Sequence, residues 1–149
     1  MKLTIALLLA TGLFLSCNNT GNNTPATSLT GTWKLLTGTI IEKNDTTVTE
    51  YSGNRSFIKI INPTHFSFLG HDLGQSKDSS AFFFTAGGGT YTLHDSSYTE
   101  HLEYCSDRTW ERHDFQFTIH INRDTLVQQG VEKVDSISRL NIERYVRMK

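Results

Sequence analysis

The chain has 149 residues, a length that predicts a single domain. Its 14 Lys and Arg residues balance 15 Asp and Glu, so it lacks the basic surface expected of a nucleic-acid-binding protein and has no acidic tail. Hydrophobic residues make up 37% of the sequence, enough for a core but less than a membrane-embedded protein needs, and the many Phe and Tyr residues favour β-sheet.

The N-terminus has the pattern of a secretory signal peptide. Lys2 precedes an apolar run, residues 5–15, that is too short to be a transmembrane span. The ending "FLSC" resembles a bacterial lipobox, in which the Cys is acylated and becomes the first mature residue. We therefore expect a lipoprotein signal peptide at 1–16 and palmitate on Cys17, which anchors the protein to a membrane. The alternative is an ordinary secreted protein that is cut near the same place.

Residues 17–28 follow as a polar tether rich in Asn and Gly, "NNTGNNTPATS" after the Cys. When extended, residues 18–28 reach about 35 Å, at ~3.3 Å each, which is enough to clear lipid headgroups. If Cys17 carries lipid, Cys105 has no partner for a disulfide and is expected to be a small, half-buried hydrophobic residue.

From residue 29 onwards, short runs of β-branched and aromatic residues alternate with turn residues, and no helical periodicity is sustained. A two-residue turn is predicted at Asn44-Asp45, and the glycines of "AGGGT", 86–90, predict a bend or bulge. Long loops are expected at 70–80 and 105–114. The predicted strands are 32–43, 46–52, 56–62, 64–69, 81–86, 89–94, 97–105, 114–122, 124–131 and 139–148. This pattern predicts an all-β fold, an antiparallel up-and-down barrel of 8–10 strands over residues 29–149.

Four segments resemble a known family. Gly31-Thr32-Trp33 in "LTGTWKLL" resembles the Gly-x-Trp opening of lipocalins. The segments "GGGTYTLHDSSYTEHLEY", "FTIHINRDTLVQQG" and "IERYVRMK" are similar to the lipocalin-like domains of Bacteroidetes lipoproteins. The resemblance implies a calycin-type β-barrel that can bind a small ligand, without implying a reaction.

The resemblance also implies a closed barrel end and a location. Trp33 would plug that end beneath an Arg of the last strand, for which Arg144 and Arg147 are candidates; Arg147 is favoured because an aromatic residue lies two positions before it. In such lipoproteins, acidic residues soon after the Cys tend to mark surface export. Since "CNNTGNN" has none, the periplasmic side of the outer membrane is favoured.

Glu100 is a carboxylate on an otherwise apolar strand face, in "YTEHLEY", 98–104. Pairing of 97–105 with 114–122 would place Glu100 opposite Ile119 and Tyr98 opposite Ile121, inside an apolar barrel with this single acid. Three arrangements are compatible with this pattern. Glu100 is satisfied internally by Tyr98, another barrel Tyr or an Arg such as Arg144, it meets a polar group of a ligand, or a bulge turns it to solvent.

The predicted function is binding of a small, largely apolar molecule inside the barrel. The alternative is a structural or protein-interaction lipoprotein with a filled barrel, its two long loops facing a partner and an exposed Trp110 among charged residues acting as an interface anchor. Candidate ligand-lining residues are Phe57, Phe66, Phe68, Tyr91, Tyr98, Glu100, Phe115 and Phe117.

No catalytic motif stands out, so we expect no enzyme activity and no cofactor. His101, His120 and Glu103 share the opposite face of the same strands and have zinc-ligand chemistry. However, Thr and Gln alternate with them as on any solvated strand, so no metal site is predicted.

Overall fold

The computed structural model describes residues 28–74 and 82–149. The predicted signal peptide, Cys17 and the tether up to residue 27 lie outside the described residues, as does most of the predicted loop 70–80. The described chain forms nine β-strands and one 3-10 helix, Arg108–Trp110. Within it, no helix is both long enough and apolar enough to cross a bilayer. The strands are β1 Gly31–Glu42, β2 Asp45–Glu50, β3 Arg55–Ile61, β4 His65–Asp72, β5 Phe84–His94, β6 Ser97–Cys105, β7 His113–Asn122, β8 Thr125–Val134 and β9 Ile137–Arg147.

Eight of these strands close into a barrel. Strands β3 to β9 pair antiparallel in chain order, and β1 joins the two ends of this sheet by pairing with both β3 and β9. Strand β2 lies outside the closed cylinder, paired with the second half of β1 from Thr37 to Glu42. The predicted all-β, antiparallel up-and-down barrel is confirmed, and its architecture is consistent with a calycin-like fold.

Two predicted strands at 81–86 and 89–94 are a single strand, β5, so that prediction is wrong. The expected bulge lies beside the glycine run, because the register shifts between Gly88 and Gly89, but the extra residue, Glu103, is on β6. A Cβ atom on Gly89 would collide with the carbonyl oxygen of His101 on the neighbouring strand. Glycine therefore permits a close approach here without ending the strand.

Predicted boundaries also differ, most clearly at the β1–β2 turn and at the end of β4. The β1–β2 turn is Lys43-Asn44, one residue earlier than predicted, because Asp45 already pairs with Glu42. Both turn residues have positive φ, 49° and 67°, as a two-residue hairpin turn requires. Strand β4 continues to Asp72, since it pairs with β3 along its whole length, so the loop does not begin at residue 70.

The predicted register between β6 and β7 is wrong by four residues. Glu100 lies opposite Phe115 and Tyr98 opposite Phe117. The reason is the connecting segment, in which Asp107 caps the 3-10 helix by accepting a hydrogen bond from the Thr109 amide at 3.1 Å. The shift is even, so Tyr98, Glu100 and Leu102 still face the interior, whereas Tyr104, beyond the irregularity in β6, is 70% exposed.

One end of the barrel, near the start of β1, is filled by side chains. Trp33 is fully buried and its indole N–H donates to the Leu29 carbonyl at 2.8 Å. The Arg147 guanidinium lies 4.0 Å from the centre of the Trp33 ring and donates to the backbone carbonyls of Thr30 and Ser28. Gly31 has a φ of 141°, and a Cβ atom there would lie 2.5 Å from Arg147 Nη1. Glycine at this position therefore makes room for the arginine.

Candidate ligand-binding site

A cavity of about 300 Å³ lies inside the barrel, above the packed end. Every barrel strand except β1 contributes to its wall, together with the 3-10 helix at its mouth. One part of the wall is apolar: Phe57, Phe68, Leu102, Trp110, Phe115 and Phe117. The other part is polar: Lys59, Glu100, Gln128, Glu132, Arg139, Asn141 and Glu143.

The floor of the cavity is a buried network around Glu100, whose exposed fraction is 6%. The Lys59 ammonium lies 2.6 Å from Glu100 Oε1 and also donates to Gln128 Oε1 at 3.1 Å. The Gln128 amide in turn donates to Glu100 Oε1 at 3.4 Å. Glu100 is therefore satisfied internally, by Lys59 and Gln128 rather than by the predicted Tyr98 or Arg144. The arrangement in which Glu100 faces solvent is wrong.

The electrostatics of this network favour a charged lysine. Burial lowers the pKa of Lys59, but the carboxylates of Glu100 and Glu143 more than reverse this effect, so the pKa lies above its ordinary value. Burial raises the pKa of Glu100, and the Lys59 ammonium opposes that rise. A buried ion pair of this kind needs both partners, since either charge alone would be costly in the barrel interior.

A second ion pair lies nearer the mouth. Arg139 Nε donates to Glu132 Oε2 at 2.7 Å, and the Asn141 amide donates to the other oxygen of that carboxylate at 2.8 Å. The Arg139 guanidinium also lies 4.6 Å from the centre of the Trp110 ring, which packs against Phe115. Trp110 is thus half-buried at the rim of the cavity, and the prediction that it is an exposed anchor is wrong.

Glu143 is the third carboxylate of the polar wall. Its Oε2 atom accepts a hydrogen bond from the Tyr145 hydroxyl at 2.8 Å and lies 3.8 Å from the Lys59 ammonium. Tyr145 and Tyr98 are fully buried below this wall. Burial and the nearby carboxylates raise the pKa of both phenols. The Tyr98 hydroxyl has no hydrogen-bond partner among the described residues.

The structure brings five of the eight predicted lining residues together around this cavity: Glu100, Phe57, Phe68, Phe115 and Phe117. The other three do not line it. Tyr98 is buried beneath the floor and packs against Tyr91, the second of the three, with 5.3 Å between ring centres. The third, Phe66, belongs to the packed core under the Lys59 ammonium.

The expectation of an apolar interior with one acid is wrong, since Lys59 and further charged residues from β8 and β9 also face inwards. The signal that could have found Lys59 is its position between Phe57 and Ile61, two inward-facing residues of the same strand. Glu143 likewise alternates with the buried Asn141 and Tyr145 on β9.

On the outer face, His101 and His120 do not approach each other as the predicted register would allow. His101 lies opposite Asp114, with 2.8 Å between Nδ1 and the carboxylate, whereas His120 pairs with Val127 on β8. Within residues 28–74 and 82–149, no group of three His, Cys, Asp or Glu side chains is placed to hold a metal ion. Cys105 is half-buried beside the cavity mouth, and burial raises the pKa of its thiol.

Comparison with known proteins adds no family assignment: no protein-family model, curated protein or solved structure matches this chain.

Proposed function

We propose that this protein is a lipid-anchored, lipocalin-like protein of the bacterial cell envelope that binds a small molecule inside its barrel. The observation that carries the proposal is the interior cavity of about 300 Å³. Ligand sites in proteins typically measure about 300–1,000 Å³, so this cavity suits a small ligand. Because the Trp33 end is filled by side chains, the ligand enters past the 3-10 helix at the other end.

The wall of the cavity determines what kind of molecule it favours. Apolar surface buried against the phenylalanines contributes about 25 cal/mol per Å². The polar groups along β8 and β9 are held in place by hydrogen bonds between them, so they can orient a polar group of the ligand. The favoured ligand therefore has an apolar body and at least one polar group, which refines the expectation of a largely apolar molecule.

Binding is tested by native mass spectrometry of the full chain, purified in mild detergent from the cells that make it. We expect a small molecule to be retained, and Leu102→Trp to abolish its retention because the larger side chain fills the cavity. Leu69→Trp is the matched control, since Leu69 lies on the outer wall and is 42% exposed. Wild-type protein that retains nothing, and that binds no added small molecule, would contradict the proposal.

The anchor is tested separately. Lipid on Cys17 would place the barrel at the membrane, on the periplasmic side of the outer membrane, with the tether as a spacer. We expect Cys17→Ser to abolish both lipidation and membrane association. A variant that is processed as before and stays in the membrane fraction would show that the anchor is not this cysteine.

A protein-interaction role is the second candidate. The outer wall carries a shallow apolar groove over the glycine run of β5, flanked by Leu69, Phe84 and Tyr104. Phe84 and Tyr104 are 55% and 70% exposed, and such patches favour contact with another surface. Crosslinking in cells would capture a partner of this face, and Tyr104→Ser should then reduce capture while leaving the interior cavity unchanged.

A further inference from the structure

The charges that line the cavity do not cancel. Five of the buried or part-buried side chains in its described wall are acidic or basic, and four of them form two close ion pairs. Lys59 pairs with Glu100 at 2.6 Å and Arg139 pairs with Glu132 at 2.7 Å. Glu143 lies 3.8 Å from the same Lys59 ammonium that Glu100 contacts more closely, so three carboxylates face two cations and the interior carries an excess of negative charge.

Glu143 has unused hydrogen-bonding capacity and, unlike Glu100, has no cation at hydrogen-bonding distance. Oε2 accepts from the Tyr145 hydroxyl, but its 3.8 Å separation from Lys59 is too long for a hydrogen bond. Oε1 accepts no hydrogen bond from the part of the chain that the structure describes, while the carboxyl group lines the cavity. A carboxylate offers several acceptor sites, so Glu143 can accept hydrogen bonds from a ligand.

The rest of the cavity suits the same kind of ligand. Phe57 and Phe68 stack with 5.7 Å between ring centres, and Phe117 also lines the cavity. Aromatic faces pack against apolar groups and also attract cations. At the mouth, Asp107 adds a carboxylate for which the described residues provide no ion pair. An anionic ligand would meet this negative charge and find both interior cations already engaged.

We infer that the cavity selects a small organic cation, an amine with an apolar body. Its ammonium group donates to Glu143, and its body packs against the phenylalanines. This inference rests on the proposed binding function and goes beyond it, because it assigns the chemical class of the ligand and the residue that recognises it. Glu100 and Lys59 form the polar floor and keep each other neutralised, which leaves Glu143 as the recognising group.

The test uses three probes of similar size that differ in charge: phenethylamine, phenethyl alcohol and phenylacetate. Binding to the full chain is measured by isothermal titration calorimetry at neutral pH. We expect the amine to bind about 10- to 100-fold more tightly than the alcohol, the range typical of a hydrogen bond to a charged group. Phenylacetate should bind more weakly than either.

Glu143→Gln tests the recognising residue. The amide keeps the shape of the side chain and can still accept from Tyr145, but it removes the charge. The variant should lose the preference for the amine while its affinity for the alcohol stays the same. Glu50→Gln, an exposed carboxylate on β2, is the matched control and should leave all three affinities unchanged.

The outcomes separate this inference from the proposed function. If wild-type protein binds the alcohol or the acid as tightly as the amine, the cationic class is wrong, although small-molecule binding stands. If the amine preference survives in Glu143→Gln, the assignment of the recognising residue is overturned. If none of the three probes binds, the inference fails, and retention of a small molecule in native mass spectrometry decides whether the proposed function fails with it. Because the wild-type comparison needs no variant, the inference stays testable even if Glu143→Gln folds poorly.

Discussion

Each end of the barrel places an arginine over a tryptophan, and the two pairs have different surroundings. At the packed end, Arg147 lies 4.0 Å above a fully buried Trp33 and bonds to backbone carbonyls. At the cavity mouth, Arg139 lies 4.6 Å from a half-buried Trp110 and bonds to the carboxylate of Glu132. The Arg–Trp contact therefore ties the last strand to the backbone before β1 at the packed end. At the cavity mouth, the same kind of contact holds charged side chains around the cavity.

This difference suggests a division of roles between the two halves. The packed half holds the fully buried side chains and is expected to provide most of the stability, whereas the cavity half leaves volume and charge available to a ligand. The Lys59–Glu100 pair lies between them, with the Lys59 ammonium 5.5 Å from the Tyr145 ring on its packed side. Substitutions in each half can test this division.

The largest loss of stability is expected from breaking the Lys59–Glu100 ion pair, which lies between the two halves. Lys59→Met would leave Glu100 buried without its counter-charge, at a cost of about 3–5 kcal/mol in the free energy of unfolding. Lys59→Met combined with Glu100→Gln should recover much of that loss, because the side chain at position 100, which loses its counter-charge, is then neutral. Urea denaturation of both variants measures the difference. Equal stability of the single and double variants would show that the pair is not coupled.

A matched truncation compares the two halves directly. Leu126 is fully buried at the packed end, and Leu102 lines the cavity. Leucine-to-alanine substitutions in cores cost about 2–5 kcal/mol, and more where the truncation leaves a new void. We expect Leu126→Ala near the upper end of this range and Leu102→Ala near the lower end, because Leu102 already borders open space. Equal costs in urea denaturation would contradict the division.

The pH dependence of stability should reflect groups in and beside the packed half. The pKa values of Lys59, Tyr98 and Tyr145 are raised in the folded protein. A raised pKa contributes stability that is fully present below the unfolded value, near pH 10 for these groups, and is lost as the pH rises through the folded value. Each group should therefore lower the free energy of unfolding by about 1.4 kcal/mol per pH unit in that window.

Tyr145→Phe tests this alkaline loss, because it removes one of the three titrating groups and should make the decline with pH less steep. The measurement is urea denaturation at a series of pH values between about 9 and 11, which brackets the unfolded values. If wild-type stability is constant across this interval, the buried groups are not linked to folding as the structure implies.

The comparison also shows what the sequence can and cannot predict. Alternation along β7 correctly places Phe115, Phe117 and Ile119 inside, because period two is a property of a single strand. The sequence does not predict the partner of Glu100, since Lys59 lies on β3 and meets Glu100 on β6 only across the interior of the closed barrel. Such a contact depends on barrel closure and diameter, which no local pattern encodes.

The smallest effects on stability are expected at the two Arg–Trp pairs. One substitution should affect stability alone, and the other should also affect ligand binding. Arg147→Met removes a cation–π contact and hydrogen bonds to backbone carbonyls, so we expect a loss of about 2 kcal/mol and no change in ligand binding. Arg139→Met keeps an apolar side chain against Trp110 and should cost only about 1 kcal/mol.

The more informative result for Arg139→Met is its effect on binding. Glu132 would keep its hydrogen bond from Asn141 but lose its only salt-bridge partner in the described wall, which adds another unpaired carboxylate to the cavity. Phenethylamine should then bind roughly threefold to tenfold more tightly, because the added charge attracts the ammonium group. Phenethyl alcohol serves as the control, since its affinity should not rise. An amine affinity that falls or stays constant would mean that charge in this half does not determine which ligand binds, and the two ends would then differ in packing alone.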